Sequence, residues 1–150
     1  MKTTDENKAL ARRFYNEVMN SHNLAAIKSF VTADFIDHNP SPGHTGKGLD
    51  DLTAQLDEIL TAIPDLRVTT DLIVAEEDKV VTYLTLTGTN SGPFGNMPAT
   101  NKPVKFNGID IVQIKDGKAT ERWGLTDDMS MLTQMGRIET DLFVQHSSGS

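Results

Sequence analysis

The chain contains no cysteine. That excludes a disulfide framework, a thiol nucleophile and a thiolate metal site, and it fits a cytoplasmic location. No apolar run approaches the roughly 20 residues of a membrane span, and the N-terminus lacks the apolar core of a signal peptide, so no membrane partner is expected. Basic residues are scarce: 14 Lys and Arg stand against 21 Asp and Glu, for a formal net charge of −7. A nucleic-acid binder needs a basic footprint, and none is visible. Glycine-rich phosphate loops, internal repeats and charge blocks are missing too. Asp37, His38 and His44 are metal-ligating residue types, but their spacing fits no metal motif, so no metal is expected.

What is present is ordinary hydrophobic content over 150 residues, enough for one domain with a real core. A single domain over 1–140 is expected, with a solvated tail over 141–150 that ends His146-Ser147-Ser148-Gly149-Ser150. Leu10, Phe14, Tyr15 and Val18 recur at helical spacing and predict a helix over 5–20, which Thr4 or Asp5 can cap. Past a break at Asn20-Ser21-His22-Asn23, the residues Leu24, Ile27, Phe30 and Val31 predict a short second helix. Phe35-Ile36 is a brief apolar step, and 37–48 is a loop by its Pro, Gly, His and Asn content. Leu52, Leu56, Ile59, Leu60 and Ile63 form the stripe of a third helix that Pro64 ends. The period then changes to two. Strands are predicted over 66–75 and 80–89, a loop with an apolar tip over 91–98, a hairpin over 104–127, and a last short helix over 128–135. Helices first and an antiparallel meander last indicate an α+β fold. The expectation is a curved antiparallel sheet wrapped around the N-terminal helices, a cone-shaped barrel with an internal pocket suited to a small molecule.

The hairpin carries most of the unusual chemistry: Asp110 inside an apolar run, then Glu121, Arg122, the single Trp123 and Asp127. Its turn can be read in two ways. With Asp116-Gly117 as a two-residue turn, Lys115 pairs with Lys118 and Asp110 lies opposite Trp123. With Lys115-Asp116-Gly117 as a three-residue loop, Ile114 pairs with Lys118 and Asp110 lies opposite Arg122. A slip of one residue turns the other face of the second strand toward Asp110.

Several short segments, in order, resemble the SnoaL-like polyketide cyclases, within the larger nuclear-transport-factor-two-like fold. They are Asn39-Pro40, His44-Thr45-Gly46, Gly95 through Met97-Pro98 and Thr100, Phe106-x-Gly108, Asp116-Gly117-Lys118 and Gln134-Met135-Gly136, and the resemblance spans 8–136. It implies an intramolecular aldol condensation without cofactor or metal, carried by a polar pair on the facing strands of the hairpin. Aligned on Asp116-Gly117-Lys118, the family's His falls on Asp110 and its catalytic Asp on Gly124, which has no proton to transfer. For those two positions to share a pocket, even residues must face even residues, which favours the three-residue loop. The pocket face then carries Phe106, Gly108, Asp110, Val112, Ile114, Thr120, Arg122 and Gly124. The other face carries Ile109, Ile111, Glu121, Trp123 and Leu125, an apolar patch that implies a homodimer.

Each candidate has a functional and a structural reading. Asp110 is either a desolvated acid–base group or an ion-pair partner of Arg122. Arg122 either orients an oxygen-bearing ligand or serves that ion pair. Asp127 is either catalytic or the N-cap of the last helix. Asn39 matches the family's Asn and would donate to a carbonyl, and His38 beside it could titrate near neutrality. Phe14, Tyr15 and Phe35 are expected to line core and pocket together, with Phe106 and Val112 on the pocket face. The expected function is a cofactor-independent enzyme, a cyclase, isomerase or lyase acting on a small carbonyl or polyketide-like compound. Asp110, Arg122 and Asp127 could also supply the two Asp around an Arg of an epoxide-hydrolase-like site. The alternatives are a non-catalytic binding protein of the same fold and a dimeric interaction module.

Overall fold

The amphipathic N-terminal segment forms helix α1, Lys2–Phe14, in a computed structural model that describes residues 2–139 and 141. The expected tail therefore lies almost wholly outside the described residues. The first helix starts earlier than its caps predicted, so Thr4 and Asp5 sit inside its first turns. From Tyr15 to Asn20 it loosens into a π-helical turn, a rare form that tends to mark functional positions. Leu24–Ser29 is a 3₁₀ helix.

The predicted second helix ends sooner than expected, because Val31 opens a strand. Strand β1 spans Val31–Asp37. Its inward residues are Val31, Phe35 and Asp37, but a register shift between Val31 and Ile36 breaks the period-two alternation that would have revealed it. Helix α2, Leu49–Ala62, follows, then β2 Arg67–Glu76, β3 Lys79–Thr89, β4 Pro103–Lys115, β5 Lys118–Thr126 and helix α3 Asp128–Gln134.

The five strands form one sheet in the order β1-β5-β4-β3-β2. Strands β2 to β5 are an antiparallel meander, while β1 runs parallel to β5. The sheet is thus mixed rather than wholly antiparallel, and it stays open, with β1 and β2 as its edges. Each edge is engaged over part of its length, and exposed edges invite aberrant pairing. Phe35 and Asp37 of β1 bond the loop at Gly48 and Gly46. The Asn20 amide exchanges two bonds with the backbone of Val68 on β2, at 2.9 and 2.7 Å.

The hairpin between β4 and β5 combines both expected registers. Asp116 and Gly117 have φ of 51° and 76°, the left-handed pair of a two-residue turn, and Lys115 does pair with Lys118. A bulge at Thr120 then adds one residue to β5: Ile114 pairs with Ala119, but Gln113 pairs with Glu121. The Thr120 hydroxyl donates to the Gln113 carbonyl at 3.3 Å and accepts from its side-chain amide at 3.1 Å. Beyond the bulge even residues face even residues and Asp110 lies opposite Gly124. The three-residue loop is therefore corrected, since the bulge does the work assigned to it.

The inner sheet face packs against the helices. Leu84, Leu86, Val104 and Phe106 meet Tyr15, Val18, Ile27, Phe35, Leu52 and Leu60 in one buried cluster with Met131 and Met135 at the last helix. Burying each large apolar side chain contributes about 1.5–3 kcal/mol. Asn90, fully buried, bonds Ala62 and Gly92 through its amide and accepts from Thr100, which ties the 91–100 loop to the end of α2.

Candidate active site

The helices do not fill the concave face. A cavity of about 710 Å³ remains, within the range of small-molecule sites. Its walls are mostly apolar, with Leu10, Phe14, Phe30, Leu56, Ile59 and Leu132 among them, and Phe94 reaches it from the tip of the 91–98 loop.

The polar floor is built from four elements. Arg122 projects inward from β5, Asp110 from β4 and Asp37 from the end of β1, while Tyr15 enters from the first residue of the π-helical turn. Arg122 lies diagonal to Asp110 rather than directly opposite it, so its side chain runs along its own strand, over Gly124. Nε donates to Asp110 Oδ1 at 2.8 Å, and Nη2 lies 2.8 Å from the same oxygen. Nη1 donates to both oxygens of Asp37 at 3.0 Å. The Tyr15 hydroxyl donates to Asp110 Oδ2 at 2.7 Å, with the Thr82 hydroxyl bonded to it in turn. Burial and the neighbouring Asp110 carboxylate push the Tyr15 phenol well above its ordinary value, so it remains a donor. Burial would lower the Arg122 pKa, but Asp110 and Asp37 outweigh it, and the guanidinium stays charged.

Gly124 makes this arrangement possible. A Cβ there would lie 2.5 Å from Arg122 Nη2 and 2.6 Å from both Arg122 Cζ and Asp110 Oδ1. The space where the family resemblance implies a catalytic Asp is filled by the guanidinium of Arg122. The absent side chain at Gly124 thus admits the cation that holds Asp110. The Asn39 amide oxygen accepts from Gly124 N at 3.1 Å, and its backbone N–H donates to Asp37 at 3.0 Å, so the loop after β1 is locked to the floor.

Of the expected site residues, Phe14, Tyr15, Phe35, Asn39, Phe106, Asp110, Val112 and Arg122 all line the cavity. Two do not. The His38 ring stacks on Trp123 across the other side of the sheet, with centroids 4.8 Å apart and planes 7° apart, and bonds Glu121 at 3.0 Å. Asp127 caps α3, accepting from Ser130 N at 3.1 Å, so the second carboxylate around Arg122 is Asp37. Sequence reasoning left Asp37 in the loop because Asp37-His38-Asn39-Pro40 has loop composition. The signal that could have found it is its spacing of two from Phe35.

His44 belongs to a separate cluster that clasps the pocket loop to α2, through Nδ1 to Asp51 at 3.3 Å and Nε2 to Glu58 at 2.9 Å. The bond to Glu58 raises its pKa, against opposing burial and with Asp51 adding to the rise. For Asp51 burial is outweighed by bonds from Gly46, Thr45, His44 and Gln55, and its pKa falls. Among the described residues no three His, Asp or Glu side chains are placed to hold a metal ion. None of the described helices is long and apolar enough to cross a membrane.

An open curved sheet with helices over its concave face and a polar cluster at the floor of an apolar cavity defines an α+β fold of cone shape. A family model described as SnoaL-like polyketide cyclase matches residues 9–135, and the chain belongs to that family. Solved structures agree. A proposed polyketide cyclase from Bacillus cereus is 29% identical, with 89% of this chain and 83% of that one covered and a TM-score of 0.77. AclR, a proposed hydroxylase from Streptomyces galilaeus, is 25% identical over 91% of this chain and 88% of that one, at a TM-score of 0.78. A proposed SnoaL-like polyketide cyclase from Jannaschia is 21% identical over 93% and 97%, at 0.81, and shows the fold alone. Comparison with curated proteins gives no match.

Proposed function

We propose that the protein is a cofactor-independent acid–base enzyme acting on a small, largely apolar carbonyl or polyketide-like compound. The observation that carries this reading is the contact of Asp110 and Arg122 at the floor of the cavity, with side chains 15% and 21% exposed. A guanidinium has five N–H donors, and the two carboxylates engage at most four of them. A substrate carbonyl oxygen would accept the remaining one. Asp110 would then remove a proton from the carbon beside that carbonyl, while Arg122 takes up the charge developing on the oxygen. Tyr15 and Asp37 hold the two reacting groups in place. This one step opens cyclase, isomerase and lyase chemistry alike, and no part of it draws on a cofactor. The description of the similar Bacillus cereus structure as a polyketide cyclase supports a polyketide-like substrate.

The test is deuterium wash-in to the methyl group of naphthyl methyl ketone in D₂O, followed by proton NMR. Exchange about 100-fold above buffer, lost in Asp110→Asn, is the expected result for a positioned general base. Gly124 and the bonds that engage Asp110 favour a second reading, a binding protein without turnover. Ketone binding with exchange no faster than buffer would establish that reading in place of the first.

The outer sheet face supports a proposal about assembly. Ile109, Leu125, Leu72 and Val74 are exposed there beside Ile111 and Trp123. A continuous apolar face of this kind marks an interface, and a homodimer through Ile109, Ile111 and Trp123 would cover it. A cytoplasmic location is our reading of a chain without cysteine.

A further inference from the structure

Among the described residues that line the cavity, Arg122 is the one base, set against Asp37, Glu58, Asp110 and Asp128. Glu58 is engaged by His44, and Asp128 accepts from the Thr126 hydroxyl. At the floor two carboxylates share a single guanidinium, which leaves one net negative charge. Asp37 is responsible for the excess. Its side chain is 3% exposed, behind Arg122, with both oxygens on Nη1 and a further bond from Asn39 N. Without Asp37 the floor would be a neutral Arg–Asp pair with a guanidinium free to take a second carboxylate in the bidentate way such groups favour.

We infer that Asp37 sets the charge selectivity of the cavity, so that the site takes an uncharged carbonyl compound and rejects the corresponding carboxylate. The inference rests on the cavity being the ligand site, and it names the substrate class of the proposed reaction. The physical reason is that a carboxylate brought to the floor would meet one cation already neutralised and one carboxylate in excess, in apolar surroundings that screen poorly. The apolar walls then provide the affinity for the body of the ligand, and the one spare N–H of Arg122 takes its oxygen.

Three probes of one shape and different charge test this: naphthyl methyl ketone, naphthoate and protonated naphthylmethylamine, titrated by calorimetry against the full chain at neutral pH. The ketone should bind at least about tenfold more tightly than naphthoate, with the ammonium also ahead of naphthoate. In Asp37→Asn the naphthoate-to-ketone affinity ratio should rise by about tenfold or more while the ammonium weakens. Circular dichroism checks that the variant folds. Should it not, Asp110→Asn removes the same unit of charge and must give the same rise. A role for Asp37 that is only structural would weaken all three probes together and leave the ratio unmoved, which overturns the inference. Naphthoate binding the wild type as tightly as the ketone overturns it as well. Failure of all three to bind refutes the cavity as a ligand site along with the inference. Selective binding without deuterium exchange refutes only the catalytic reading.

Discussion

Replacing Gly124 by alanine should destabilise the protein, although alanine is ordinarily the better strand residue. The added Cβ would stand 2.5 Å from Arg122 Nη2 and 2.6 Å from Asp110 Oδ1, where ordinary contact begins at 3.4 Å. The guanidinium must therefore retreat by about 0.9 Å. That carries the 2.8 Å bond to Asp110 beyond hydrogen-bond range, and the hold of Asp37 at 3.0 Å opposes any rearrangement that would restore it. One charge-assisted bond is worth about 1.5–3 kcal/mol. Alanine returns about 0.5–1 kcal/mol of backbone entropy in a strand. The net loss should be about 0.5–2.5 kcal/mol, or a fall in Tm of roughly 1–10 °C for a chain of this size. Urea and thermal unfolding measure it. The decisive comparison repeats the change in a background carrying Asp37→Asn, Asp110→Ala and Arg122→Met, which clears both the guanidinium and the carboxylate from the space beside residue 124. With no guanidinium to displace, the alanine should there be neutral or mildly stabilising. A native-background Gly124→Ala protein as stable as the wild type would refute the claim that this glycine exists to admit Arg122.

Asp127→Ala should lower stability by about 1 kcal/mol through loss of the α3 cap, with ketone exchange retained. Exchange abolished at unchanged stability would instead make Asp127 catalytic. His44 gives a pH-dependent contribution. Because Glu58, then Asp51, raise its folded pKa against burial, the stability from these contacts is complete below the unfolded value of about 6.5 and is lost as pH rises through the higher folded value. The urea midpoint should therefore fall over that window in the wild type and stay flat in His44→Gln; parallel curves would sink the clasp. Ile109→Lys combined with Leu125→Lys should convert a dimer into a folded monomer by sedimentation velocity, and a double variant that sediments as the wild type does would rule out this face as the interface.

Periodicity alone placed α2, the meander from β2 to β5 and the last helix close to their observed limits, because each carries a local signal: a helical stripe ended by Pro64, alternation at period two, and Asp116-Gly117 between two strands. The family resemblance placed Asp110 and Gly124 on one face, and they are paired across the hairpin. The bulge at Thr120 was not legible, since one extra residue in a strand leaves the composition of that strand unchanged. Strand β1 was hidden for a like reason, its alternation broken by its own register shift.

The floor of the site was decided by tertiary structure alone. The sequence determined that a carboxylate at 110 and a guanidinium at 122 would share a hairpin, and that glycine at 124 left a gap between them. Asp37 comes from the opposite end of the chain, 85 residues from Arg122, and the Tyr15 hydroxyl meets Asp110 across 95. Both pairings exist only because β1 joins β5 in parallel and the π-helical turn lies over the concave face of the sheet. Local pattern reports which way a side chain faces within its own element. Which charges meet at the bottom of the cavity depends on how those elements are stacked, and that is set by burial of apolar surface shared among residues far apart in the chain.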